Sequence, residues 1–165
     1  MSRRALIVAV AAGAIGLAAA AWYLLRPAEE RVIRGRLDSL VDDFNDPGEG
    51  LASLAKAVAL ASYFTEDVRV DLGPGSPPIE GREALVGAAS ALQPRTAALR
   101  AGVDDVGIAI DDGGTSASVT LTATVTRRNL ATLEETLDAR EFALTMTKRD
   151  GTWRIAHAKA VDTLR

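Results

Sequence analysis

The chain of 165 residues has no cysteine. That single absence removes disulfide frameworks, thiolate metal sites and cysteine nucleophiles together. It has one histidine, His157, so a histidine-rich metal centre is also excluded. Basic residues do not predominate: the net charge is −3 at pH 7, so a nucleic-acid-binding surface is not expected. Aromatic residues make up 4% of the chain, and Gly and Pro (14 and 6) keep an ordinary share, which excludes collagen-like and low-complexity classes. There is no internal repeat. The length allows one ordinary domain. No motif calls for a metal or a cofactor.

What is present begins with an uncharged run, Ala5 to Leu25. Its 21 residues are enough to cross a hydrocarbon core of ~30 Å at ~1.5 Å per residue. Arg3 and Arg4 precede it and Arg26 follows. Two readings fit. A secretory signal would be cut after small residues among Ala18–Ala21. A retained anchor would use the whole run, with Trp22 and Tyr23 near the interface. The run continues through Leu24 and Leu25, beyond an ordinary signal core, and this favours the anchor. The reading is therefore an anchor over 1–26 and a domain over 27–165. A four-residue tail before the span is the usual form of a bacterial inner-membrane anchor. A single-pass protein with an extracytoplasmic, periplasmic domain is the expectation.

In the domain, Val32, Ile33, Leu37, Leu40, Val41 and Phe44 recur at helical spacing, and Asn45-Asp46-Pro47-Gly48 ends that helix. A second helix runs to about Phe64. Val68, Val70 and Leu72 alternate with Arg69 and Asp71 as in a strand. Gly73 to Pro78 is a loop, and Ile79 to Leu85 leads into a third helix that ends before Pro94. Four strands follow: about 103–110, 115–126, 136–148 and 152–161. Asp111-Asp112-Gly113-Gly114 and Asp150-Gly151 are turn signals. Helices segregated from a mostly antiparallel sheet make an α+β domain of two layers.

Three stretches carry a likeness. They are Tyr63-Phe64-Thr65-Glu66-Asp67-Val68-Arg69-Val70, then Ile79-Glu80-Gly81-Arg82-Glu83-Ala84-Leu85, then Asp150-Gly151-Thr152-Trp153-Arg154-Ile155. In that order the chain resembles the nuclear transport factor 2-like superfamily over about 29–162. This is the cone fold shared with ketosteroid isomerases and SnoaL-type polyketide cyclases. The resemblance implies three helices packed on a curved sheet, and it leaves activity open. Isomerases of the family hold a catalytic carboxylate on the first strand. The matching position here is Leu72, which cannot abstract a proton, and Asp71 points to the other face.

The last hairpin yields the candidate site. A two-residue turn at Asp150-Gly151 pairs Lys148 with Trp153, Met146 with Ile155, Leu144 with His157 and Phe142 with Lys159. His157, Lys159, Arg140 and Asp138 would then share the cavity side. Such a group suits an anionic or amphipathic ligand; alternatively, His157 is a core histidine beside an ion pair. The opposite face offers Ser116, Ser118, Thr120, Thr122, Thr124 and Thr126, with Ala156, Ala158 and Ala160. It reads as a solvated face or a homodimer interface. Asp42-Asp43 with Asp46 reads as a solvated helix end. No Ser–His–Asp arrangement can be built.

Two functions follow. One is a membrane-anchored, non-catalytic domain for ligand binding or protein assembly. The other is a SnoaL-like cyclase, dehydratase or isomerase acting on a small apolar molecule in the cone. A cavity filled by apolar side chains favours assembly, and an open one with converging polar groups favours a ligand.

Overall fold

The computed structural model describes residues 28–46, 51–91, 97–129 and 131–161. By contact the chain divides into two units, 1–33 and 34–165. The uncharged run Ala5–Leu25 lies outside the described residues. Among the described residues no helix is long and apolar enough to cross a membrane.

Residues 28–45 are helical (α1). Next come α2 (Leu51–Ala61), β1 (Phe64–Asp71), a short β2 (Ile79–Glu80) and α3 (Arg82–Ala91). Four long strands complete the domain: β3 (Ala97–Ile110), β4 (Ser116–Asn129), β5 (Glu135–Arg149) and β6 (Thr152–Ala160). The order of helices and strands is the one expected from the sequence, with β2 as an addition. The six strands form one mixed sheet in the order β2-β1-β6-β5-β4-β3. Only the β1–β6 pair is parallel, and it places the last strand inside the sheet.

One face of the sheet is apolar because alternate side chains point the same way. Val68 and Val70 on β1, Val119 and Leu121 on β4, Leu144 and Met146 on β5, and Trp153 and Ile155 on β6 are all buried. Leu37 of α1 is buried as well. Each such side chain contributes on the order of 1.5–3 kcal/mol on leaving water.

Local chemistry pins the helices to this sheet. Asn45, the predicted helix stop, also closes a sheet edge. Its amide donates to the Ala101 carbonyl (2.9 Å) and accepts from the Ala101 N–H (2.7 Å). Both groups belong to the edge strand β3, where they would otherwise stay open to pairing. Gly81 sits at φ +86°, a conformation that strains any residue with a side chain. Its N–H donates to the Val68 carbonyl, and its carbonyl accepts from Leu85 in the first turn of α3. Arg82 then reaches back to the Phe64 carbonyl at 2.8 Å. The Gly-Arg pair thus ties the start of α3 to the first residue and the middle of β1.

Two expected turns form. Asp150 and Gly151 both have positive φ, as a tight two-residue hairpin requires. The Asp111 carboxylate accepts from the N–H groups of Thr115 and Ser116 and so caps its own turn. At the helix end, Asp43 accepts from the Tyr63 hydroxyl at 2.6 Å, and Lys56 pairs with Asp46.

The register of β5 and β6 departs from the expectation halfway along. Lys148–Trp153 and Met146–Ile155 pair as predicted. Beyond them Thr145 pairs with His157, Leu144 with Ala158, Ala143 with Lys159 and Phe142 with Ala160. Ala156 is the extra residue of a β-bulge. The expected pairs Leu144–His157 and Phe142–Lys159 are therefore corrected. Without the bulge, His157 and Lys159 would point into the apolar face, where a charge is expensive to bury. With it, Ala158 and Ala160 go inside and are buried, and Lys159 is exposed.

Tyr63 offers a test of the helix–sheet junction. Its ring is buried, and the Arg36 guanidinium stands 4.0 Å from the ring centre. Burial, followed by the hydrogen bond to Asp43, raises its pKa above the ordinary 10.0. A raised folded-state pKa means stability that is complete below the unfolded value and lost as pH climbs through the folded one. Tyr63→Phe is expected to cost about 1–2 kcal/mol at neutral pH. Thermal melts should show the gap between wild type and variant closing in strong alkali. A gap that stays constant to high pH would show that the phenol does not carry it.

Candidate functional site

Past the buried rows, the apolar face of the sheet continues into an open cavity of about 720 Å³. The register sets its floor in rows across β4 and β5. Leu121 faces Phe142, Ala123 faces Arg140, Val125 faces Asp138, and Arg127 faces Thr136. Leu99 on β3 extends the last row beyond Arg127. Phe44 of α1 and Leu72 and Ser76 after β1 also line the cavity, with Leu137 at its rim. Leu72, Val125 and Leu137 are exposed apolar side chains, at 37%, 39% and 68%. Three apolar residues open to water at one mouth form the kind of surface that a ligand covers.

The polar groups divide unevenly. Arg140 donates to the Leu72 carbonyl at 3.2 Å and so bridges β5 to the end of β1. Its Nε lies 4.0 Å from the Asp138 carboxylate. Both side chains are more than half exposed, so this pair contributes little to stability. Asp138 is the single carboxylate on the lining among the described residues.

The structure brings together two of the four predicted site residues. Asp138 and Arg140 line the cavity. His157 and Lys159 are placed by the bulge on the opposite face, beside Arg69 and Asp71, their Cα partners on β1. Leu72 stands at the cavity, and Asp71 faces away, its carboxylate accepting from the Gly73 N–H at 3.0 Å. Among the described residues no group of three or more His, Asp or Glu could hold a metal.

The hydroxyl stripe of β4 lies on that outer face as read. Ser118 and Thr120 are exposed; Thr122, Thr124 and Thr126 are half-buried. Gly102 and Gly107 on β3 lie against the Thr124 and Thr120 hydroxyls, and a Cβ at either glycine would come within 2.6 or 2.8 Å. Ala158 and Ala160, expected on the outer face, are in the core.

Sequence reasoning missed Arg127, Val125, Leu99 and Phe44 as lining residues. The signal for Val125 was present: Ala123 and Val125 alternate with Thr122, Thr124 and Thr126, so the cavity face could be followed along β4 to Arg127.

Residues 52–159 match the SnoaL-like domain family. The chain belongs to the SnoaL-like family. No curated protein matches it. Solved structures share the fold. One is a protein provisionally named a scytalone dehydratase from Novosphingobium aromaticivorans, with 17% identity and a TM-score of 0.69 over 84% of this chain and 87% of that one. Another is ActVI-ORFA from Streptomyces coelicolor, with 13% identity and a TM-score of 0.65 over 82% and 98%. A third is a hexachlorocyclohexane dehydrochlorinase, with 12% identity and a TM-score of 0.61 over 84% and 90%. At these identities the likeness is one of fold.

The placement of the four residues predicts a split among variants. His157→Ala should leave the affinity of the full chain for a neutral apolar probe, 2-naphthylacetamide, within about twofold. Ala123→Trp, which fills the cavity floor, should weaken it by about tenfold or more. Equilibrium dialysis of the three proteins measures this. Equal losses in the two variants would contradict the assignment of faces.

Proposed function

We propose that this SnoaL-like domain binds a small, largely apolar ligand without transforming it, and that the run Ala5–Leu25 anchors it in a bacterial inner membrane with the domain outside the cytoplasm. The observation that carries the ligand reading is the open cavity of about 720 Å³, walled by Phe44, Leu72, Leu99, Val125 and Phe142. Pockets of this size and largely apolar lining are the usual place for a small molecule. The non-catalytic reading is supported by the lining's polar groups. They include no histidine, Leu72 stands at the family's base position, and the one carboxylate faces Arg140. The anchor reading is supported by the length and neutrality of the run. Self-association through the outer sheet face, across Ser118, Thr120 and Thr145, belongs to the same proposal.

The competing reading is a cyclase, dehydratase or isomerase-type enzyme. Two fold relatives are named a dehydratase and a dehydrochlorinase, and Asp138 would be the available base here. Incubation with a panel of small apolar hydroxy-ketones separates the two readings. Quantitative recovery of the panel fits a binding domain. Turnover that disappears in Asp138→Asn would establish the enzyme.

The anchor has its own test. Full-length protein should sediment with membranes, resist salt and alkaline washing, and dissolve in detergent. Recovery of the uncut chain in the soluble fraction would refute it, and a mature N-terminus near Ala21 or Trp22 would identify a cleaved signal instead.

A further inference from the structure

We propose that the ligand is an amphipathic anion, an apolar body ending in a carboxylate or phosphate group, and that Arg127 is the residue that reads its charge. The proposal rests on the ligand-binding reading above and adds the chemical class. The chain as a whole is acidic, at −3, yet among the described residues the cavity wall carries two guanidinium groups against one carboxylate. Those three charges are not equivalent. Arg140 is already engaged, by the Leu72 carbonyl and by Asp138. Arg127 stands four residues along β4 from the Arg140 row, about 13 Å away at the ordinary rise of a strand.

Arg127 and its neighbour Arg128 make an internal comparison. Successive side chains on a strand point to opposite faces. Arg128 points away from the cavity and lies 3.7 Å from Glu135 on the facing strand. Arg127 points to the cavity, faces Thr136, and its guanidinium has no hydrogen bond or ion pair among the described residues. The fork of that guanidinium is therefore free to grip a planar carboxylate or a phosphate, which arginine binds through two parallel hydrogen bonds. Between the two arginines lies the row of Val125 and Asp138, with Val125 as its apolar floor, Asp138 drawn toward Arg140, and Leu137 at the rim. An apolar body resting on Val125 and Phe142, with its charged end at Arg127, uses the whole length of the cavity.

The test uses the full chain in phosphatidylcholine nanodiscs, with empty nanodiscs as the correction for partitioning. Three probes share one ring: 2-naphthylacetate, 2-naphthylmethylphosphonate and the neutral 2-naphthylacetamide. Equilibrium dialysis should show one or both anions binding about tenfold more tightly than the amide. Which anion binds more tightly names the end group. Arg127→Ala should abolish that preference and leave amide binding in place, and Arg127→Lys should restore part of it. Asp138→Asn, which removes the opposing charge, should strengthen the preference. Equal affinity for anions and amide, or a preference that survives Arg127→Ala, would overturn the proposal while leaving the binding pocket standing. Failure of all three probes to bind would overturn both.

Discussion

The bulge at Ala156 decides what kind of site this domain can have. A strand has two faces, and one extra residue exchanges them for everything downstream. In β6 the exchange falls between Ile155 and His157, so Trp153 and Ile155 point inward before it and Ala158 and Ala160 after it. The only ionisable residues in the second half of the strand, His157 and Lys159, are carried to the outer face. The inward half of β6 is then small and apolar. Among the described residues, the cavity's polar groups come from β4, β5 and the loop after β1.

The rest of the site follows from how those strands outrun the core. β4 and β5 pair over thirteen residues, from Ser116–Thr147 to Arg128–Glu135. Their first half is buried at Val119, Leu121, Leu144 and Met146. Their second half keeps the same alternation, but Ala123, Arg127, Asp138 and Arg140 join Val125 at the inward positions. A hydrophobic core that continues geometrically while its chemistry turns polar becomes a cavity with a charged mouth. The clamp of Asn45 on Ala101 and the bridge from Arg140 to Leu72 hold its two sides.

Much of this was legible where the determinants are local. Asp150-Gly151 named its own turn, Gly81-Arg82 named the start of α3, and Asn45 named the end of α1. Helical and alternating periodicities indicated each long element, but β3 begins at Ala97 rather than near 103, and Leu99 lies in the part that was not expected. The bulge was not legible, because Ala156 looks the same as an inward or an outward alanine. The reason for it lies in the cost of burying Lys159, a tertiary effect. The cavity floor was missed because the β4–β5 connection is not a two-residue turn, so nothing local set Arg127 opposite Thr136. Two of the four candidate residues, Asp138 and Arg140, precede the disrupted register on β5 and keep their inward parity.

The central claim is that ligands enter on the face of Val125 and Leu72 and that His157 lies on the other side of the sheet. The most direct measurement is an NMR titration of the full chain with 2-naphthylacetamide, following the Val125 and Leu72 methyl signals and the single imidazole. The account predicts saturable shifts at both methyl-bearing residues and a stationary imidazole. Shifts at His157 with stationary Val125 and Leu72 would contradict it.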